Sequence, residues 1–104
     1  MQTWDWYDAM GDGWLHWAIP HADGRWVETV TEFGMLAKIG VNGHGVGVML
    51  NMLHHENDEK AAAEERIGYP VHLLSRAILD DAATFDEARE IASAPTSAST
   101  SHGV

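Results

Sequence analysis

The 104-residue chain has no cysteine. That excludes a disulfide framework, a thiolate metal site and a thiol nucleophile within these residues. Basic residues are scarce, six Lys and Arg against sixteen Asp and Glu, for a formal charge of −10. Such an excess repels a phosphate backbone and an anionic lipid surface, so neither nucleic acid nor membrane is expected as a partner. Long apolar runs are missing too. None approaches the ~20 residues that span a bilayer, and the N-terminal residues lack the basic-then-apolar layout of a signal peptide. The expected location is cytoplasmic.

What is present is the balance of a globular chain, 45% hydrophobic and 21% charged. The length suits one small domain or part of a larger one. All five tryptophans (Trp4, Trp6, Trp14, Trp17, Trp26) fall in the first quarter, the middle is glycine-rich, and the last third is alanine-rich. Met1 leads at once into Gln2-Thr3-Trp4-Asp5-Trp6 with no turn or cap residues. At the other end, β-prone residues are still accumulating from Ser97 to Val104. Both ends read as cuts through structure, so residues 1–104 are expected to form an incomplete single domain.

Trp14 to Ile19 is a short β-prone run closed by Pro20, and Asp23-Gly24 supplies strong hairpin-turn chemistry. Arg25 to Phe33 alternates imperfectly, with Trp26, Thr29, Thr31 and Phe33 as good strand formers. An antiparallel hairpin is predicted. Met35 to Ile39, enclosed by Gly34 and Gly40, is predicted as a further strand, and Val41 to Gly45 as a turn. Val46 to Leu53 is an almost continuous apolar run, which implies a strand buried on both faces.

Residues 56–68 are charged and read as a surface excursion. Pro70 suits a helix start, where its missing N–H costs nothing. Val71, Leu74 and Ile78 then share one face. Thr84-Phe85-Asp86-Glu87 has the capping-box pattern, and loss of the cap should cost ~1 kcal/mol. Phe85, Ala88 and Ala92 follow on one stripe, and Asp80-Asp81 reads as a solvated linker between the helices. The fold class is therefore α+β, with antiparallel strands over about 3–53 followed by helices over about 70–80 and 85–94.

At this point the order of segments resembles the isopenicillin-N acyltransferase-like family. Gln2-Thr3-Trp4-Asp5-Trp6 is similar to that family's Gln-Asn-Trp-Asp-aromatic segment. Thr31-Glu32-Phe33-Gly34-Met35-Leu36-Ala37-Lys38-Ile39-Gly40-Val41-Asn42 resembles its Thr-Glu-Ala-Gly-x-x-x-Lys-x-Gly-x-Asn stretch. Gly45 to Val48, Asn51 to His54, Pro70 to Leu74 and Ser97 to Ser99 follow in the family's order. The resemblance spans nearly the whole chain and is weakest from Glu56 to Ile67.

The resemblance implies a partial αββα sandwich of the N-terminal-nucleophile hydrolases. It also implies an enzyme that cuts itself to expose an N-terminal cysteine. The α-amino group (reference pKa ~7.7–8.0) can then take the thiol proton, and the thiolate attacks an acyl carbonyl. The acyl group passes to an amine or to water. The substrate would be a small acyl compound acting through an amide bond, with no cofactor; acyl-coenzyme A is a possible substrate of the full-length enzyme. In the family the cysteine precedes the Trp-Asp motif by roughly twenty residues, so this chain is expected to start too late to contain it.

By the same resemblance, Asp5 is the catalytic candidate, matching the aspartate that holds the nucleophile's amino group. Otherwise it is a surface aspartate at a strand edge. Trp4 and Trp6 are candidates for an acyl pocket, or else core residues. Asn51 interrupts the apolar run, and related penicillin V acylases and bile-salt hydrolases place an oxyanion asparagine near the corresponding strand end. Otherwise it satisfies neighbouring loop backbone.

No metal is expected. His54-His55-Glu56 lacks the His-Glu-x-x-His spacing, neighbouring strand residues face opposite ways, and His16, His44 and His72 are scattered. Asn42-Gly43-His44-Gly45 lacks the pattern of a phosphate cradle.

Three readings stay open. The first is a fragment of a cysteine-dependent acyltransferase or amidohydrolase, inactive without its nucleophile. The second is a shortened, non-catalytic homologue that binds a ligand or partner. The third is an unrelated small acidic α+β binding module. The fragment reading further implies an exposed apolar sheet face, covered by the missing remainder of the domain or by self-association.

Overall fold

The computed structural model of the chain describes residues 11–51 and 69–94. Their order is β1 (Trp14–Pro20), β2 (Trp26–Glu32), β3 (Ile39–Asn42), β4 (Gly47–Val48), α1 (Val71–Asp81) and α2 (Phe85–Ser93). The strands form one antiparallel sheet in the order β1-β2-β3-β4. This is the expected α+β arrangement of antiparallel strands followed by two helices.

The β1–β2 hairpin closes as its sequence predicts. His21 N–H donates to the Arg25 carbonyl, Gly24 N–H donates to the His21 carbonyl, and Gly24 has φ +87°. A turn followed by a left-handed residue matches the twist of the flanking strands, and glycine adopts that conformation without a Cβ penalty. Asp23 accepts from the Arg25 backbone N–H and from its Nε. These bonds, the backbone one foremost, hold the Asp23 carboxyl below its ordinary pKa.

Register assigns the faces. Val27, Thr29 and Thr31 of β2 share a face with Leu15, Trp17 and Ile19 of β1 and with Gly40 and Asn42 of β3. Helix α1 packs there, with Leu79 joining Val27 and Ala37 in the buried core. Gly40 is required at this crossing. A Cβ on it would lie 2.5 Å from the Glu28 carbonyl oxygen and 3.0 Å from Leu79 Cδ1.

The opposite face carries Trp14, Trp26, Val30, Ile39 and Val41. Trp14 is 58% exposed, Trp26 42% and Val41 37%. Among the described residues, the helices contact the sheet through α1, from the other face.

Helix α1 begins just after Pro70, whose carbonyl accepts from Leu73 and Leu74. Helix α2 starts with a complete capping box. Thr84 Oγ1 accepts from Glu87 N–H while the Glu87 carboxylate accepts from Thr84 N–H, and from Ala83 N–H as well. The acidic pair Asp86 and Glu87 in the first turn complements the helix dipole.

Four expectations need correction. Met35 to Lys38 is not a strand; the chain turns there, with Met35 N–H donating to the Glu32 carbonyl and Gly34 at φ +90°. The strand starts only at Ile39 and takes in Val41 and Asn42, so the turn is Asn42 to Gly45. Among its described residues, the run from Val46 contributes a strand of Gly47 and Val48, and Met49 beyond it is 65% exposed. Apolar continuity there does not reflect burial on two faces.

Asp80 and Asp81 end α1 instead of linking the helices, and Asp80 is largely enclosed. A carboxylate at a helix C-terminus is disfavoured by the dipole, and here the Arg76 guanidinium offsets it. Arg76 Nε lies 2.7 Å from Asp80 Oδ2 one turn back. His21 Nε2 lies 3.2 Å from Asp80 Oδ1, without the alignment of a hydrogen bond. Arg25 Nη1 donates to the Asp80 carbonyl. The hairpin tip is thereby tied to the end of α1. Residues 56–68 and the strand expected after Ser97 lie outside the described residues.

Candidate functional site

Two places in the fold gather chemistry. The first is the β2–β3 connection. Lys38 Nζ lies 2.8 Å from Glu32 Oε1, and the two side chains are only 3% and 5% exposed. An ion pair so enclosed survives only with good geometry, because each charge has lost its water. His72, in the first turn of α1, stands beside it.

Burial, and then the Lys38 charge, lower the His72 pKa below its ordinary value; the Glu32 charge and the nearby Ala37 backbone act in the opposite direction. Its imidazole is therefore neutral near pH 7. The Nδ1 atom is buried and unpartnered. Chemically the cluster can hold a proton acceptor next to a fixed charge pair. Structurally it clamps the turn from Phe33 to Lys38 against α1.

Four residues after Lys38, Asn42 makes a second polar junction in the core. Its Nδ2 donates to the carbonyls of Leu79 (3.0 Å) and Ala82 (2.6 Å) at the end of α1. Its Oδ1 accepts from the backbone N–H of His44 (3.1 Å) and Val46 (3.0 Å). The two amide N–H groups on one side and two carbonyls on the other leave only one orientation of the side chain. A single asparagine thus closes the β3–β4 turn and caps the helix.

The second place is an open groove of about 550 Å³ between the β3–β4 hairpin and the helices. Val46, Val48, Met49, Ile78, Phe85 and Ala88 form its apolar lining, with His44 and Arg89 at its polar positions. The expected α2 stripe of Phe85, Ala88 and Ala92 faces this groove, and Phe85 is 78% exposed. None of the described residues of α2 is buried.

Of the site residues expected from sequence, Asp5, Trp4 and Trp6 lie outside the described residues. Asn51 is described; it is exposed and lies past the end of β4. His16 is exposed and pairs with Glu28 at 3.4 Å, while His44 sits at the exposed β3–β4 turn. His54 and His55 lie outside the described residues. Among the described residues no three His, Asp or Glu side chains converge as a metal site would require. None of the described helices is long and apolar enough to cross a membrane.

The polar cluster was not singled out from sequence as a site. Its signal was there, in Glu32 and Lys38 flanking a turn between two strand runs and in the lone His72 on the apolar side of α1. Compared with protein-family models, curated proteins and solved structures, the chain matches none of them.

Proposed function

We propose that the chain is part of a cysteine-dependent, self-processing acyltransferase or amidohydrolase of the isopenicillin-N acyltransferase-like kind. The observation that carries this reading is the one-sided sheet. Helix α1 covers one face, and the other presents Trp14, Trp26 and Val41 partly exposed, at 58%, 42% and 37%. That is how one αβ half of an αββα sandwich would look, and apolar surface of this kind calls for a covering layer.

The stretch resembling the family, Thr31 to Asn42, also holds the residues most constrained by the fold. Glu32 and Lys38 form the enclosed ion pair, Gly40 has no room for a Cβ, and Asn42 joins β3 to α1. The chain has no cysteine. In this reading the thiol therefore comes from a segment outside it, and Asp5 would orient the amino group of that nucleophile.

The test is to read the coding sequence upstream of Met1 for an in-frame cysteine about twenty codons earlier, the spacing the resemblance implies. If it is present, a chain starting there is assayed for thiol-dependent hydrolysis or transfer on a panel of acyl amides. Activity abolished by thiol alkylation and by Asp5→Asn supports the proposal. An upstream stop codon sinks it.

The groove between α2 and the β3–β4 hairpin favours a second reading, a non-catalytic homologue that binds an apolar ligand. Under that reading the isolated chain binds fatty-acyl probes saturably, and Phe85→Ala weakens the binding. Absence of saturable binding removes it.

A further inference from the structure

The outer edge of β1 points to a second copy of this chain. We infer that two chains pair antiparallel through β1, about a two-fold axis at Trp17, extending the sheet across both. This does not rest on the acyltransferase reading.

The hydrogen-bonding pattern defines the edge. Phe33 N–H donates to the Gly13 carbonyl and His21 N–H donates to the Arg25 carbonyl. In an antiparallel ladder, residues alternate between facing the partner strand and facing away. Counting in steps of two from Gly13 to His21, the odd-numbered residues of β1 turn their backbone groups to β2. Trp14, His16, Ala18 and Pro20 turn theirs outward.

The edge thus offers the N–H groups of Trp14, His16 and Ala18 and the carbonyls of all four residues. Among the described residues, β1 is the end of the sheet and no strand pairs with this edge.

Chains usually guard such an edge with charge, proline or a bulge. β1 reads Trp-Leu-His-Trp-Ala-Ile-Pro, with no Lys, Arg, Asp or Glu and a proline only at its last position. A neutral seven-residue edge in a chain of formal charge −10 is the part of the molecule where a second copy meets least repulsion.

The strand is also self-complementary. With Trp17 opposite the partner's Trp17, His16 faces the partner's Ala18, Leu15 the partner's Ile19, and Trp14 the partner's Pro20. His16 and Ala18 exchange both bonds on each side of the axis. Pro20, which has no N–H, needs only to accept from Trp14.

Trp17 sits at a non-hydrogen-bonded position of this new ladder, where side chains approach most closely and aromatic pairs gain most. It is 37% exposed, and Arg76 stacks on its ring at 6.0 Å with its charge matched by Asp80. A register shifted by two residues would instead set His16 against itself or leave Trp14 without a partner.

Sedimentation velocity of the full chain over a range up to about 100 µM tests this. A dimer is expected. Ala18→Pro removes an outward N–H and leaves the β1–β2 ladder intact, while His16→Lys places a charge on the edge. Each should weaken the dimer at least about tenfold with the circular dichroism spectrum unchanged. Should Ala18→Pro fail to fold, His16→Lys carries the test.

The register is read by cross-linking, since the chain has no cysteine of its own. Trp17→Cys should form a disulfide dimer under mild oxidation and His16→Cys should not. A monomer throughout the range overturns the inference. So does a dimer indifferent to both edge variants, or a cross-link favouring His16→Cys.

Discussion

Replacing Asn42 by aspartate changes one NH₂ group into an oxygen and nothing else in shape. Two buried carbonyls then decide the outcome. In the native chain Nδ2 donates to the Leu79 and Ala82 carbonyls, and both residues are 1% exposed. With alanine at this position each carbonyl loses its donor, at about 1–3 kcal/mol apiece. The His44 and Val46 amides lie near the exposed turn and can turn to water, so Asn42→Ala should cost about 3–4 kcal/mol in total.

Asn42→Asp costs more at neutral pH, because a carboxylate oxygen then faces the carbonyls where a donor stood. The aspartic acid can relieve this only by keeping a proton, so its folded pKa is raised above the unfolded value near ~3.9. The sign follows from proton binding. Above pH ~3.9 the unfolded chain releases the proton first, so the folded state binds more and stability falls as pH rises. That fall continues until the raised folded pKa is passed. Below pH ~3.9 the variant is at its best relative to wild type.

Urea unfolding followed by tryptophan fluorescence, on both chains at pH 4 and pH 7, measures the difference. Stability of Asn42→Asp within about 0.5 kcal/mol of wild type at both pH values would refute the assigned hydrogen bonds.

Lys38→Met should destabilise by about 3–5 kcal/mol, because it leaves the Glu32 carboxylate enclosed without its cation. Adding Glu32→Gln should recover part of the loss, read in the same urea assay. His72 has its folded pKa below the unfolded value of 6.5. Its contribution to stability is therefore present above pH 6.5 and is lost as pH falls through the folded pKa. An NMR titration should show its imidazole protons shifting below the ordinary histidine value of 6.5, and His72→Gln should flatten the matching part of the stability profile. Gly40→Ala should cost about 1–3 kcal/mol, since the new methyl meets backbone at Glu28 and the Leu79 side chain. A neutral Gly40→Ala would mean that β3 does not cross α1 as closely as described.

What the sequence disclosed and what it hid divide by range. The Asp23-Gly24 turn, the Thr84 capping box and the helix after Pro70 are set by residues within five positions of one another, and each forms as expected. Asp80 looked like linker because its partners are remote. Arg25 reaches its carbonyl from 55 residues away. Met35 to Lys38 looked like strand by composition, but the chain must turn there for Lys38 to return to Glu32. A run of apolar residues after Val46 promised a buried strand, and among the described residues the β4 pairing with β3 covers Gly47 and Val48. Pattern alone shows neither where a sheet ends nor which polar groups it encloses.

The same division bears on how the family resemblance can be tested. Its densest part, Thr31 to Asn42, coincides with a junction where β2, the turn, β3 and α1 meet, and every unusual residue there has a local mechanical reason. Gly34 takes a left-handed φ, Gly40 lets α1 approach, the Glu32–Lys38 pair closes the turn, and Asn42 caps the helix. Any chain building this junction would need similar residues, whatever reaction it served. Substitutions in this stretch therefore report on folding. In a longer chain with a thiol, Lys38→Met should lower the folded fraction and leave the KM of what remains unchanged. If Asp5 orients the nucleophile as proposed, Asp5→Asn should lower kcat with the folded fraction intact, because that role acts on the transition state and not on the sheet. If the two variants behave alike, Asp5 belongs to the scaffold, and the resemblance speaks only for the fold.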